Sequence, residues 1–229
     1  MNDPTCVRFL QWALPRMRLH WPGFRKVRRQ VCKRIARRMR GLELSAEGYR
    51  AYLEMHADEW RELDRRCRIT VSRFYRDQGV FEFLERVVLP HLTSTVATRR
   101  ERSLRIWSAG CGSGEEPYSL ALLWARRLRP GQSGVEIDIL GSDVDPVQLR
   151  RAQKACYPLS SLRELPGDWI ESEFKAANGV YCLSPAHKNY VRFVEHDVRN
   201  AMLRESFDLH SVPYSGVYVF RPGTSARDA

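Results

Sequence analysis

The chain has 229 residues, with 38 Lys and Arg against 27 Asp and Glu, a formal net charge of +11. At 43% hydrophobic and 28% charged it has the composition of a globular protein, not a disordered one, and length for one large domain or two modest ones. No run approaches the roughly 20 apolar residues of an integral membrane segment, and Asp3, Arg8 and Gln11 break up what a signal peptide would need.

The charge is concentrated near the start. Residues 1–80 carry a net +10 and residues 81–229 only +1. Residues 1–22 hold Pro4, Pro15 and Pro22 with Trp12 and Trp21, which predicts a short helix and an irregular lead-in. The stretch RKVRRQVCKRIARRMR (25–40) has nine cations and no acid. Val27, Val31, Ile35 and Met39 recur every four residues there, the apolar stripe of an amphipathic helix running from near Phe24 to near Gly41. Nucleic acid, an anionic membrane and an acidic helical protein compete as its partner. Aromatic interleaving, zinc spacing and a helix-turn-helix pattern are all missing, which argues against nucleic acid. A merely solvated face normally mixes signs, so an acidic protein partner is favoured. Two helices follow, the first capped by Ser45 with Tyr49, Tyr52 and Leu53 inward. After TVSRFYRD (70–77), VFEFLERVVLPHL gives a helix predicted to end near Pro90. TSTVATRRERS (93–103) is polar and basic and is predicted to be a linker.

From Leu104 the pattern alternates. LRIWSAG is a strand, EEPYSLALLWARRL a helix, VEIDILGSDVD a strand, and PVQLRRAQKACY a helix with Pro146 at its first position. YVRFVEHDV (190–198) is a third strand, and Phe207-Asp208-Leu209 opens a fourth. Strand–helix alternation of this kind predicts a doubly wound parallel sheet. The six cysteines are widely spaced with no C-x-x-C pair, so reduced thiols in the cytoplasm are expected, with neither disulfides nor a metal site.

SAGCGSGEE (108–116) follows a strand and opens a helix, the context that separates a nucleotide loop from chance glycines. Asp143 closes the second strand beside it, where an acid accepts hydrogen bonds from ribose hydroxyls. The loop has no P-loop Lys, which disfavours ATP phosphate transfer. The strings ITVSRFYRD, VLPHL, RIWSAGCGSGEEPYSLAL, SDVDP and YPLSSLRELP resemble the CheR-type chemoreceptor methyltransferases, which are protein-glutamate O-methyltransferases, over about residues 7–209. The resemblance implies a helical N-terminal domain followed by a class I, Rossmann-like domain using S-adenosyl-L-methionine: an α/β chain with a basic, receptor-docking domain at 1–92, a linker at 93–103 and a methyltransferase domain at 104–209. It further implies that Gly110, Gly112, Gly114 and Glu116 form the cofactor loop, that Asp143 takes the ribose, and that Asp197 and Val198 lie near the adenine. Thr70, Ser72 and Arg76 would close over the cofactor, with Arg76 the candidate catalytic residue. The expected partners are the cytoplasmic helices of chemoreceptors, and the expected state is a monomer. A catalytically inactive receptor-binding module is the alternative. After Leu209 the family continues with a Cys-Arg-Asn strand that HSVPYSGVYVFR does not match, although codons for that string read one base later can encode ILCRTVAFTYF. A frameshifted, truncated tail at 210–229 is therefore expected, with the sheet ending at its fourth strand and methyl transfer impaired.

Overall fold

A computed structural model describes residues 3–68, 72–131, 134–200, 203–212 and 217–220. The chain forms two compact units, Met1–Thr70 and Val71–Ala229.

The first unit is helical: α1 (Asp3–Arg16), α2 (Trp21–Phe24), α3 (Arg28–Gly41), α4 (Ala46–Met55) and α5 (Ala57–Cys67). Three members of the predicted α3 stripe, Val31, Ile35 and Met39, are buried with Phe9, Leu10, Leu14, Tyr49, Leu53 and Leu63, while the helix begins only at Arg28 and the fourth, Val27, is its half-buried N-cap. The Ser45 hydroxyl caps α4 by accepting the Gly48 N–H at 3.1 Å. One carboxylate ties three helices together. Glu59, 6% exposed, accepts Arg38 Nε at 2.9 Å, Arg38 Nη2 at 2.7 Å and the Tyr49 hydroxyl at 2.7 Å. Those bonds, the bidentate arginine foremost, hold the Glu59 carboxyl below its usual range against the opposing effect of burial.

The second unit begins with a long helical stretch, α6 (Gln78–Phe83) and α7 (Leu89–Thr98), joined by a π-helical turn at Leu84–Val88. The sheet strands are β1 (Ser103–Ala109), β2 (Glu136–Asp143), β6 (Val191–Glu195), β7 (Leu209–Val212) and β8 (Val217–Phe220), in the order β6-β2-β1-β7-β8. All neighbours are parallel except β7 and β8. Helix α8 (Glu115–Leu123) follows β1 and α9 (Pro146–Lys154) follows β2. Leu104, Ile106, Ile137, Ile139 and Leu209 point from one face of the sheet into a core with Leu120, Leu123, Trp124 and the α6–α7 residues Leu84, Leu89 and Val96. A second, antiparallel sheet combines β3 (Cys156–Tyr157), β4 (Phe174–Ala177) and β5 (Val180–Leu183) in the order β3-β5-β4, with α10 (Leu159–Leu162), α11 (Gly167–Glu173) and α12 (Pro185–Lys188) around it. No described helix is long and apolar enough to cross a membrane.

Four expectations are corrected. The division falls at residues 70/71, not at a linker over 93–103, because 93–98 are helical. Thr93, Thr95 and Thr98 turn their hydroxyls back onto the carbonyls of Leu89, His91 and Ser94, and Thr93 and Val96 are buried. A polar composition was thus mistaken for a loop. The helix does not stop at Pro90. The preceding π turn, in which the Leu89 N–H bonds Leu84 O five residues back, starts a fresh segment whose first turn accepts a proline. The thiols are not all reduced: Cys6 pairs with Cys32 and Cys156 with Cys182, while Cys67 and Cys111 stay free and buried. Each pair is 26 residues apart, and what brings them together is tertiary: packing of α1 on α3, and the β3–β5 register that sets Cys156 opposite Cys182. Finally, the sheet continues past Leu209. His210 and Ser211 pair with Trp107 and Ser108, and Val217–Phe220 pairs back on β7. Ladder hydrogen bonds come from the backbone, so a segment whose side chains depart from the family pattern still adds strands.

Candidate functional site

In the order β6-β2-β1-β7, the chain crosses over between β1 and β7, and the crevice at the carboxyl ends of such strands is where open α/β sheets bind ligands. The glycine loop, Glu116, Asp143 and the residues that follow β6 lie at that end. The turn after β1 is held by β2: the Gly110 and Cys111 N–H groups donate to Ser142 O at 2.7 and 2.8 Å, and the Gly112 N–H donates to Asp143 Oδ2 at 2.8 Å. The other oxygen of Asp143 accepts the Asp145 N–H at 2.8 Å. Each carboxylate oxygen keeps a further lone pair for a ligand hydroxyl. Gly110, Gly112 and Gly114 all have positive φ, of 75°, 57° and 89°, but they serve different ends. A Cβ on Gly110 or Gly112 would meet nothing within 4 Å, leaving an open cradle, whereas one on Gly114 would stand 3.0 Å from Ala152 Cβ and 3.2 Å from the Phe193 ring. Gly114 lets α8 start tight against α9 and β6.

Two glutamates open α8, Glu115 buried and Glu116 partly buried. The Glu115 carboxylate accepts the Ser113 hydroxyl at 3.0 Å to each oxygen, and the nearby Ser72 hydroxyl also acts to lower its pKa. Glu116 Oε1 accepts the hydroxyls of Ser108 from β1, at 2.9 Å, and of Ser211 from β7, at 2.5 Å, so it sits where the two strands part. Burial pushes both carboxyls above their ordinary 4.5, and the serine hydroxyls oppose the rise. The charge of Asp77 raises Glu116 further. Tyr157 braces the loop from below, its hydroxyl donating to Ser113 O at 2.8 Å.

Beyond β6, the His196 N–H donates to Asp143 O at 3.0 Å, which places the next residue, Asp197, near Asp143. Arg199 grips Asp197 through Nη2 at 2.7 Å and Nε at 2.9 and 3.1 Å, and its backbone N–H adds a bond at 2.9 Å. Val198 is 49% exposed. The His196 ring packs 6.0 Å from Trp107, and its buried Nε2 has no hydrogen-bond partner among the described residues. Ser72 lies near enough to act on the Glu115 carboxyl, and Arg76 lies exposed between Tyr75 and Asp77. Thr70 lies outside the described residues. Ser108, Ser211 and Tyr157 carry no signal in the sequence: a serine on a strand and a tyrosine before a proline are ordinary, and only the fold brings them to the loop.

Residues 70–210 match the family of the CheR methyltransferase, SAM binding domain. A chemotaxis protein methyltransferase from Listeria innocua is 34% identical over 141 residues, 62% of this chain and 51% of that protein. Chemotaxis protein methyltransferase 2 from Vibrio cholerae is 31% identical over 174 residues, 74% of this chain and 59% of that one. The chemotaxis protein methyltransferase of Salmonella typhimurium is 29% identical over 191 residues, 82% of this chain and 60% of that one. The chain thus spans about half to three fifths of the length of these curated relatives.

Proposed function

The chain belongs to the CheR methyltransferase family, and from that premise we propose that it transfers the methyl group of S-adenosyl-L-methionine to glutamate side chains on the cytoplasmic helices of chemoreceptors, giving glutamate methyl esters. The observation that carries the reading is the convergence, at one end of the sheet, of an open glycine loop, the Asp143 carboxylate and the partly buried carboxyl of Glu116.

These groups fit the cofactor by their chemistry. The cradle at Gly110 leaves room for an amino-acid moiety, and Glu116 offers a carboxylate to its ammonium group, with Oε1 held by two serines. Asp143 has spare lone pairs for ribose hydroxyls, and Asp197, Val198 and the unpartnered His196 Nε2 border the adenine. When bound, the sulfonium supplies an electrophilic methyl group. The chain's own task is then to place the acceptor. A substrate glutamate, with a reference pKa of about 4.3, is anionic at neutral pH and needs no general base. It needs orientation and removal from water. The Arg76 guanidinium meets that need through a bidentate contact on the acceptor carboxylate, acting as an orienting group. On the helical unit, Arg29, Lys33, Arg37 and Arg40 of α3 are exposed, a cationic face suited to acidic receptor helices. A receptor substrate of this kind places the activity in the cytoplasm.

Titration calorimetry of the 229-residue chain with S-adenosylmethionine tests the cofactor half of this reading. A single saturable site, lost in Asp143→Ala, is expected, and absence of binding heat by the wild-type chain across several temperatures overturns it.

A further inference from the structure

We propose that Ser119 is a positioning residue, whose hydroxyl holds the left-handed turn at Tyr75 and thereby sets Arg76 over the amino end of α8. The proposal rests on the reading of Arg76 given above. Tyr75 has φ of 52°, a backbone region that bulky residues rarely adopt and that persists only where the surroundings over-determine it. Here they do. The Tyr75 N–H donates to Ser119 Oγ at 3.1 Å, and Ser119 Oγ donates its one hydrogen to Glu115 O at 2.7 Å. Ser119 is fully buried, so water cannot replace it, and without its oxygen the Tyr75 N–H would lose that acceptor in a buried setting.

The residues on either side lock the same turn. The Phe74 N–H donates to Ser161 O at 3.0 Å, and the Phe74 ring meets Tyr157 and Phe174 edge-on at 4.9 and 5.4 Å. The Tyr75 ring stacks on Phe81 at 4.5 Å and meets Trp169 edge-on at 5.5 Å. Two buried aromatics therefore fix the chain immediately before Arg76. The segment's ends lie near the same helix: the Ser72 hydroxyl acts on the Glu115 carboxyl, and the charge of Asp77 is felt at Glu116. Arg76, the exposed residue between them, is carried on a turn clamped to α8 at its middle by Ser119. A shift of about 1 Å at a group that orients a reactant can cost roughly 100-fold in rate, so a clamp of this kind matters for turnover more than for folding.

The test is Ser119→Ala in the full chain, measured with S-adenosylmethionine and a glutamate-bearing receptor-helix peptide. The expected result is a fall in kcat of roughly 10- to 100-fold, with S-adenosylmethionine affinity within about twofold of wild type and faster hydrogen exchange at the Tyr75 amide. In an Arg76→Ala background the same change should lower the residual rate less than about twofold, because the clamp acts through Arg76. An unchanged kcat, or equal losses in both backgrounds, overturns the proposal. Unchanged exchange at Tyr75 overturns the clamp itself, even in an active enzyme. A wild-type chain that binds the cofactor but transfers no methyl group overturns the parent reading instead, and with it the catalytic consequence of the clamp.

Discussion

Replacing Glu116 by Gln separates a binding role from a folding role. The side chain is partly buried, and its Oε1 accepts both the Ser108 and Ser211 hydroxyls. An amide oxygen can still accept both bonds, if more weakly than a carboxylate, so the strand ends stay tied to α8. What changes is the second oxygen, which becomes an NH2 group that donates and cannot accept. If that oxygen receives the cofactor's ammonium group, a charge-assisted bond worth about 1.5–3 kcal/mol is lost, a weakening of roughly 10- to 150-fold in Kd. Stability should move little or rise. Burial pushes the Glu116 carboxyl above its ordinary value. A group with a raised folded-state pKa lends stability below its unfolded value and loses it as the pH rises through the folded one. Above that point the wild-type chain carries a partly buried anion that the amide removes. Calorimetry and a thermal melt at the same pH above neutrality read both effects. Wild-type affinity in the variant, or weaker binding that simply tracks a lower Tm, refutes the reasoning.

Gly114→Ala should destabilise the second unit by about 2–4 kcal/mol, combining the cost of a left-handed alanine with overpacking against Ala152 and Phe193; differential scanning calorimetry should show that unit melting roughly 4–16 °C lower. In the helical unit, Glu59 has a lowered pKa through Arg38 first and Tyr49 next, with burial opposing. Its contribution is present above the ordinary carboxylate value and is lost as the pH falls through the lowered one. Tyr49→Phe removes one donor, so it should cost about 1.5–3 kcal/mol at neutral pH and move acid unfolding, followed by circular dichroism, to higher pH.

How much of this was legible depended on whether the cause was local. The Val31, Ile35 and Met39 part of the α3 stripe, the Ser45 cap, the Pro146 helix start and the glycine loop between β1 and α8 all follow from spacing within a dozen residues, and each lies where its pattern predicts. The β4–β5 hairpin was legible but passed over: Asn178-Gly179, with φ of 49° and 76°, is the turn pair that two-residue hairpins demand. Other features have causes distant in the chain. Ser211 reaches Glu116 across 95 residues, the Tyr75 turn closes on Ser119 across 44, and the Cys156–Cys182 pair follows from strand register. Residues 93–98 misled for a different reason, since threonine hydroxyls that bond their own helix look in a sequence like the polar side chains of a loop.

The central claim is methyl transfer to a carboxylate placed by Arg76. It is tested most directly by incubating the 229-residue chain with methyl-labelled S-adenosylmethionine and paired receptor-helix peptides that differ only in carrying Glu or Gln at the acceptor position. The account predicts label on the Glu peptide alone, released as methanol by mild alkali, and its near-complete loss in Arg76→Ala. Equal labelling of both peptides, alkali-stable label, or full activity in Arg76→Ala would contradict it.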